Sequence, residues 1–268
     1  MNYSVLMSVY SKEKPAHLLK SIQSVLNQTV LTDDFVIICD GPLTDDLYEV
    51  LHSFEILHPR MFNIQKREKN EGLGSALSYG IKIVKNDIVM RMDSDDICVR
   101  DRAEKQLKLM ETYDLVGSWI SEFERDEDNI IGYRRVPQNY LEIRKYAKKR
   151  CPFNHPTVMF KKEIILNAGN YQTMLFVEDY YLWIRILLNS EKVYNSQEVL
   201  VNMRSGRDMR ARRSGKVYRK SMIELRKFML REKFIGPLYF CWLVVIQSIF
   251  IALPVNLKVK LYSAFLRE

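Results

Sequence analysis

Three carboxylates in four residues, Asp93, Asp95 and Asp96 of "RMDSDD", follow an apolar run that reads as a buried strand. Like charges crowded at a strand end repel one another. The pattern therefore calls for a helix start, whose dipole favours acids, or for a cation that neutralises them. One aspartate would meet the first need, and three exceed it. Hard divalent cations such as Mg2+ and Mn2+ take one or two carboxylates from a protein and the rest from phosphates and water. Asp-x-Asp offers two carboxylates on one short turn. Asp40 ends a second apolar run, "FVIICD", ahead of the turn residues "GPLTDD", so it reads as a turn former or as a ligand contact. Glu178 and Asp179 open the helical pattern "EDYYLWIRI". Acids there cap a helix or present a general base.

The elements that must position these acids follow from periodicity. "YSVLMSVY" (Tyr3–Tyr10) reads as a strand, and Leu18, Leu19, Ile22, Val25 and Leu26 take helical spacing behind Pro15. "FVIICD", "MFNIQKR" and "DIVMRMD" read as further strands. "TDDLYEVLHSFEIL", with Thr44 as its N-cap, and "GLGSALSYGIKIVK" and "RDRAEKQLKLMETY" read as helices. Strand and helix alternate about four times over residues 1–115, the signature of a parallel sheet covered on both faces. Ligands of such sheets bind at the carboxyl ends of the strands, where Asp40 and Asp93 both fall. Beyond that the alternation weakens. A helix near Tyr140–Lys149, a short strand in "CPFNHPTVMF" and the helix opened by Glu178 are expected.

Other chemistries lack their residues. "NEGLGSALSYG" could bring backbone close to phosphates, but Leu77 stands where a dinucleotide fingerprint needs its third glycine. No GxxxxGK[ST] phosphate loop is present. Cys39, Cys98, Cys151 and Cys241 form no CxxC pair, so neither a zinc site nor a disulfide framework is expected, and a reducing compartment fits. The N-terminus has the character of a first strand and not of a secretory signal. The net charge of +8 is local: Arg204–Lys220 holds eight Lys/Arg and one Asp. That points to a local anionic partner and away from a nucleic-acid-binding surface.

Taken in order, "SVLMSVY", Asp40, "NEGL", "RMDSDD" and "VEDYYLW" resemble the family 2 glycosyltransferases of the GT-A fold, over about Ser4–Arg204. "NHPTVMF" and "EDYYLWIRI" are similar to the bacterial branch that assembles O-antigen and capsular polysaccharides. The resemblance implies an α/β domain, residues 1–204, with a Rossmann-like, mostly parallel sheet and helices on both faces. Its nucleotide-sugar half would be 1–115 and its acceptor half 116–204. Position by position, it implies that Asp40 reads the nucleotide base, usually uracil, and that Ser8 and Tyr10 line the nucleotide. Asp95 would hold Mn2+ or Mg2+ on the diphosphate, with Asp93 shared between metal and ribose and Asp96 in support. Asp179 would be the catalytic base, with Glu178 beside it. His155 and Trp183 would stand on the acceptor side, although a histidine before proline and a tryptophan at helical spacing serve structure equally well. Many relatives carry an arginine on the helix after "NxG". "ALSYG" has none, which leaves Arg91 or the basic segment to meet the phosphates.

Residues 205–268 read as a tail. A basic helix over Ser214–Lys233 is followed by Phe234–Leu257, 24 residues without a charge. That run is long enough to cross a bilayer core of about 30 Å, or to lie in the interface while the basic stretch meets anionic lipid. The combined expectation is an inverting enzyme at the cytoplasmic face of the membrane. It would move sugar from a nucleotide sugar, a UDP-sugar by resemblance, to a lipid-linked saccharide. A sugar nucleotidyltransferase, and a non-enzymatic protein binding anionic lipid or nucleic acid, are the alternatives.

Overall fold

The computed structural model describes residues 1–205 and 215–252. Its first half runs β1 (Ser4–Val9), α1 (Pro15–Leu26), β2 (Asp34–Cys39), α2 (Asp45–Leu57), β3 (Phe62–Lys66), α3 (Leu73–Ile83), β4 (Ile88–Asp93), the short β5 (Ile97–Cys98) and α4 (Arg102–Met110). The second continues with β6 (Leu115–Phe123), β7 (Ile130–Arg134), α5 (Tyr140–Tyr146), β8 (Met159–Lys161), α6 (Lys162–Asn167), α7 (Glu178–Leu187) and β9 (Val193–Arg204). Two helices, α8 (Lys216–Arg231) and α9 (Pro237–Ala252), close the described chain.

All strands described join one sheet, in the order β3-β2-β1-β4-β8-β6-β9-β5, with β7 paired to β6. β3, β2, β1 and β4 are mutually parallel, as the alternation requires. β8 then runs antiparallel between β4 and β6, and β9 is parallel to β6. The continuous apolar runs have the expected cause, since β1, β2 and β4 are covered on both faces. Alternate residues feed two cores. Leu6, Val36, Ile38 and Val89 pack with α3 and α7, whereas Val5, Met7, Ile37 and Met90 pack with α1, α2 and α4. The chain reverses direction across the sheet between β1 and β4, where Ser8 lies in register with Asp93.

Some local expectations change. "CPFNHPTVMF" is strand only from Met159, because Pro152 and Pro156 have no N–H to give a ladder. His155–Thr157 forms a 3-10 turn, and the Asn154 amide group donates to the Ser118 carbonyl at 2.8 Å. Thr44 holds the N-cap position of α2 without a side-chain capping bond. Val177, not an acid, is the N-cap of α7, so Glu178 and Asp179 lie inside the first turn.

α8 is not a separate appendage. Met222, Leu225 and Met229, with Phe234, Ile235 and Leu243 after them, share the core that holds Trp183. α9 has 16 residues, a length of about 24 Å. No helix among the described residues is long and apolar enough to cross a membrane. Most of the basic segment and the end of the apolar run, 206–214 and 253–257, lie outside the described residues.

Candidate active site

β4 delivers Asp93 and, on the same face two residues earlier, Arg91. Arg91 is buried, and its guanidinium forks onto both Asp93 oxygens, with Nη1–Oδ2 at 2.7 Å. It is therefore committed to Asp93 and is not presented to a phosphate, contrary to one of the sequence expectations. The Asp93 carbonyl accepts from Ser21 Oγ at 2.8 Å, which ties the strand end to α1.

The two following acids are held in an unfavourable field. Burial first, then Asp93 and Glu13, push the Asp95 carboxyl up to about 7. Asp96 is buried and driven well above the usual carboxylate range, by burial and then by Asp95 and Asp93. Its Oδ1 accepts from the Arg204 amide at 2.8 Å, while Oδ2 has no partner. Sequence reading missed Glu13, which accepts from Ser94 Oγ at 2.7 Å, because a lone acid in "SKEKP" shows no pattern. Arg204 ends β9, donates from Nε to the Asp95 carbonyl at 3.2 Å and lies 4.6 Å over the Phe123 ring. Among the described residues, no three His, Cys, Asp or Glu side chains form a ready cluster for a metal ion. The donor set nevertheless suits a hard dication. Asp95 and Asp96 stay raised in spite of the opposing fields of Arg204 and Arg91, and one Asp96 oxygen is unpartnered, so a further positive charge beside them would relieve the repulsion.

Asp40 sits one residue past β2 and is 3% exposed. Its Oδ1 accepts from the Glu71 amide at 3.0 Å and from Arg67 Nη1 at 3.2 Å, and its Oδ2 from the Gly72 amide at 2.8 Å. A carboxylate has about four acceptor positions, so one remains. Asp40 thus also folds the turn that starts α3. Gly41 is needed there: φ is +87°, and an added Cβ would lie 2.6 Å from the Asn70 nitrogen. Ser8 and Tyr10, both half-buried, flank this edge from β1 and the residue after it.

The third group approaches across α3. A Cβ on Gly74 would lie 3.4 Å from the Glu178 Cβ, so the first turn of α3 stands against the first turn of α7. Burial and then Asp179 push the Glu178 carboxyl up to about 7, against the pull of its own and the Phe176 peptide N–H groups and of Arg91. Asp179 Oδ2 receives Cys151 Sγ at 3.5 Å.

Tyr171 joins the groups. Its buried phenol is raised by desolvation and by the fields of Asp179, Asp93 and Glu178, and lowered by Arg91. The carboxylates of β4 and α7 therefore act on one hydroxyl. His155 Nε2 lies 2.9 Å from that hydroxyl, and burial followed by Arg91 lowers its imidazole well below the ordinary range. Trp183 is fully buried, edge-on to Phe153 at 5.4 Å and His155 at 5.9 Å. It is a core residue and does not reach a sugar. The structure thus brings Ser8, Asp40 and Asp93, far apart in the sequence, to one edge of the sheet, and sets the adjacent pair Glu178 and Asp179 against the start of α3. Arg67 and Tyr171, lone polar residues in unpatterned stretches, carried no signal.

Known proteins share the sequence pattern and the fold of this chain. The family model "Glycosyl transferase family 2" matches residues 4–167. The chain is 38% identical to the amylovoran biosynthesis glycosyltransferase AmsE of Erwinia amylovora, covering 97% of this chain and 98% of that one. It is 36% identical to the UDP-Gal:alpha-D-GlcNAc-diphosphoundecaprenol beta-1,3-galactosyltransferase of Escherichia coli, covering 99% and 97%. Among solved structures, the mannosyltransferase PcManGT of Pyrobaculum calidifontis, in complex with GDP-Man and Mn2+, superposes with a TM-score of 0.66 at 16% identity. It covers 94% of this chain and 70% of that one, and its likeness is one of fold.

Proposed function

The chain belongs to glycosyl transferase family 2 and is a glycosyltransferase of the GT-A fold, and from that premise we propose its reaction. It transfers a sugar, with inversion, from a UDP-sugar to a lipid-diphosphate-linked saccharide in the assembly of a cell-surface polysaccharide. The observation that carries this reading is that Asp93 ends β4 in register with Ser8, Asp40 holds the start of α3, and the first turn of α3 stands against Glu178 of the acid pair opening α7. A donor needs counter-charge at its diphosphate, and an acceptor hydroxyl needs a base, within one site. The Escherichia coli relative, named for UDP-Gal and a diphosphoundecaprenol acceptor, supports both substrate classes.

The roles divide by place. Asp40 reads the base, since its one remaining acceptor position suits a single N–H such as the uracil imide. Ser8 and Tyr10 line the nucleotide, and Asp93, beside Ser8, meets the ribose. Asp95, with Asp93 and the Asp96 oxygen behind it, would hold Mn2+ or Mg2+. Bound there, the cation supplies Lewis-acid stabilisation of the leaving diphosphate. Arg204 stands in for the arginine absent from α3, because it alone of the basic segment's described residues lies on the acid loop. Asp179 takes the acceptor's proton. Residues 1–204 carry the catalytic groups, and the C-terminal helices packed onto them hold the enzyme at the cytoplasmic face of the membrane, against anionic lipid.

A panel of nucleotide sugars with a diphosphoprenol-linked saccharide, scored by release of nucleoside diphosphate, tests the reading. UDP-sugars are expected to turn over. EDTA should stop turnover, and Mn2+ or Mg2+ should restore it. Full activity in EDTA would remove the metal from the mechanism, and turnover with GDP-sugars alone would remove the role of Asp40.

A further inference from the structure

Between the buried Tyr171 and the buried Val177, the chain leaves the core and returns to it. Gly169 and Asn170 make the outward bend with positive φ, and the Asn170 side chain donates to the Ser78 carbonyl of α3 at 2.9 Å. The return is a four-residue turn, in which the Val177 amide donates to the Met174 carbonyl at 3.0 Å. Its third residue, Phe176, has φ +69°, a conformation that turns of this kind normally give to glycine or asparagine. A bulky side chain there is a steric outlier. The ring does not offset this by burial, because Phe176 is 42% exposed and Leu175 before it 57%. An outlier that burial of its side chain does not offset is a reason to look for function.

The position of the turn says what it would meet. Phe176 is two residues from Glu178 and three from Asp179, and its own peptide N–H is bonded to the Glu178 carboxylate. The backbone that carries the exposed ring is thus tied to the first acid of the pair. Gln172 and Thr173, both exposed, lie on the same excursion of the chain; the Gln172 side-chain nitrogen donates to the Gly169 carbonyl at 3.2 Å, which leaves its oxygen and the Thr173 hydroxyl to meet a ligand. An aromatic face carries partial negative charge, and the C–H face of a pyranose carries partial positive charge, so the two stack. Amide and hydroxyl groups bond to ring hydroxyls.

Resting on the acceptor reading above, we infer that the turn Met174–Val177 is the acceptor-sugar platform. Phe176 stacks on the pyranose whose hydroxyl is presented to Asp179, and Gln172 and Thr173 set its orientation. The strained conformation holds the ring beside the base instead of letting it fold back onto the core.

Phe176→Gly separates this role from a structural one, because glycine accepts φ +69° without strain. The test uses the full chain with a UDP-sugar donor and a diphosphoprenol-linked saccharide. Phe176→Gly and Phe176→Ala are expected to raise the acceptor KM about three- to tenfold, the usual worth of one aromatic contact. The donor KM should stay, and Phe176→Trp should keep a near-wild-type acceptor KM. The melting temperature of Phe176→Gly should equal or exceed that of the wild type. Unchanged acceptor KM in both small variants, with the wild type turning over, overturns the platform alone. A fall of several degrees in the melting temperature of Phe176→Gly makes the ring a structural plug and also overturns it. A wild type that transfers to no lipid-linked saccharide overturns the acceptor reading, and the platform with it.

Discussion

Glu178 and Asp179 are adjacent in sequence but differ in surroundings. Glu178 lies against α3 under the field of Asp179 and Arg91, whereas Asp179 touches Cys151. Asp179→Asn should keep donor binding and lose kcat by about 10²- to 10⁴-fold, the usual worth of a positioned general base. Single-turnover kinetics with the lipid-linked acceptor measure this. A dead Glu178→Gln beside a near-normal Asp179→Asn would exchange the two roles. Glu178 also makes a stability prediction. Its carboxyl is raised from 4.5 to about 7, so between those values the folded protein binds more protons than the unfolded chain. Its stability therefore falls as pH rises through that window. Allowing for solvent at a half-buried group, the loss is about 1–2 kcal/mol. Glu178→Gln should melt about 2–4 °C above the wild type at pH 8, and no higher than the wild type at pH 5. Equal melting at pH 8 would mean that the carboxyl is well solvated.

At the scale of elements, the site depends on how α3 begins. Asp40 closes the turn with three hydrogen bonds, and Gly41 lets the Asn70 backbone approach. Gly41→Ala combines a positive φ with a backbone clash, so it should destabilise the protein by about 1–3 kcal/mol. It should also raise the donor KM, because Asp40 and the start of α3 move together. Denaturant melts and donor titration measure the two effects. Loss of stability with an unchanged donor KM would separate the turn from the nucleotide. Asp40 was legible as an acid at a strand end. Its second task was not, because its partners lie 27 to 32 residues away.

At the scale of the whole molecule, α9 presents an apolar surface among the described residues. Leu238, Trp242, Val245 and Ile246 of α9 are exposed, and Lys149 lies 5.8 Å over the Trp242 ring. Cutting the chain after Lys233 would not test the membrane reading cleanly, since Phe234, Ile235 and Leu243 belong to the core and Arg226 donates to the Leu243 carbonyl. Surface substitution does test it. Leu238→Glu with Val245→Glu should abolish sedimentation with anionic vesicles and shift the melting temperature by no more than about 1–2 °C, because neither residue is buried. Unchanged sedimentation would assign vesicle binding to another surface.

The amino-acid sequence alone determined the parallel half of the sheet, the helices that cover it and the strand ends that carry acids. Those features are local: a strand buried on both faces must be apolar throughout, and a covering helix must repeat its apolar residues with the helical period. The ordered motifs of the family added the acid pair opening α7. Only the tertiary structure decided which charges are free. Arg91, equally suited by type to a phosphate, is buried against Asp93, and Trp183, suited to a sugar, fills the core. Glu13, Arg67, Tyr171 and Arg204 enter the site from four separate elements and loops. Burial and pairing depend on what the fold brings alongside from distant parts of the chain, and no periodicity within a segment records that.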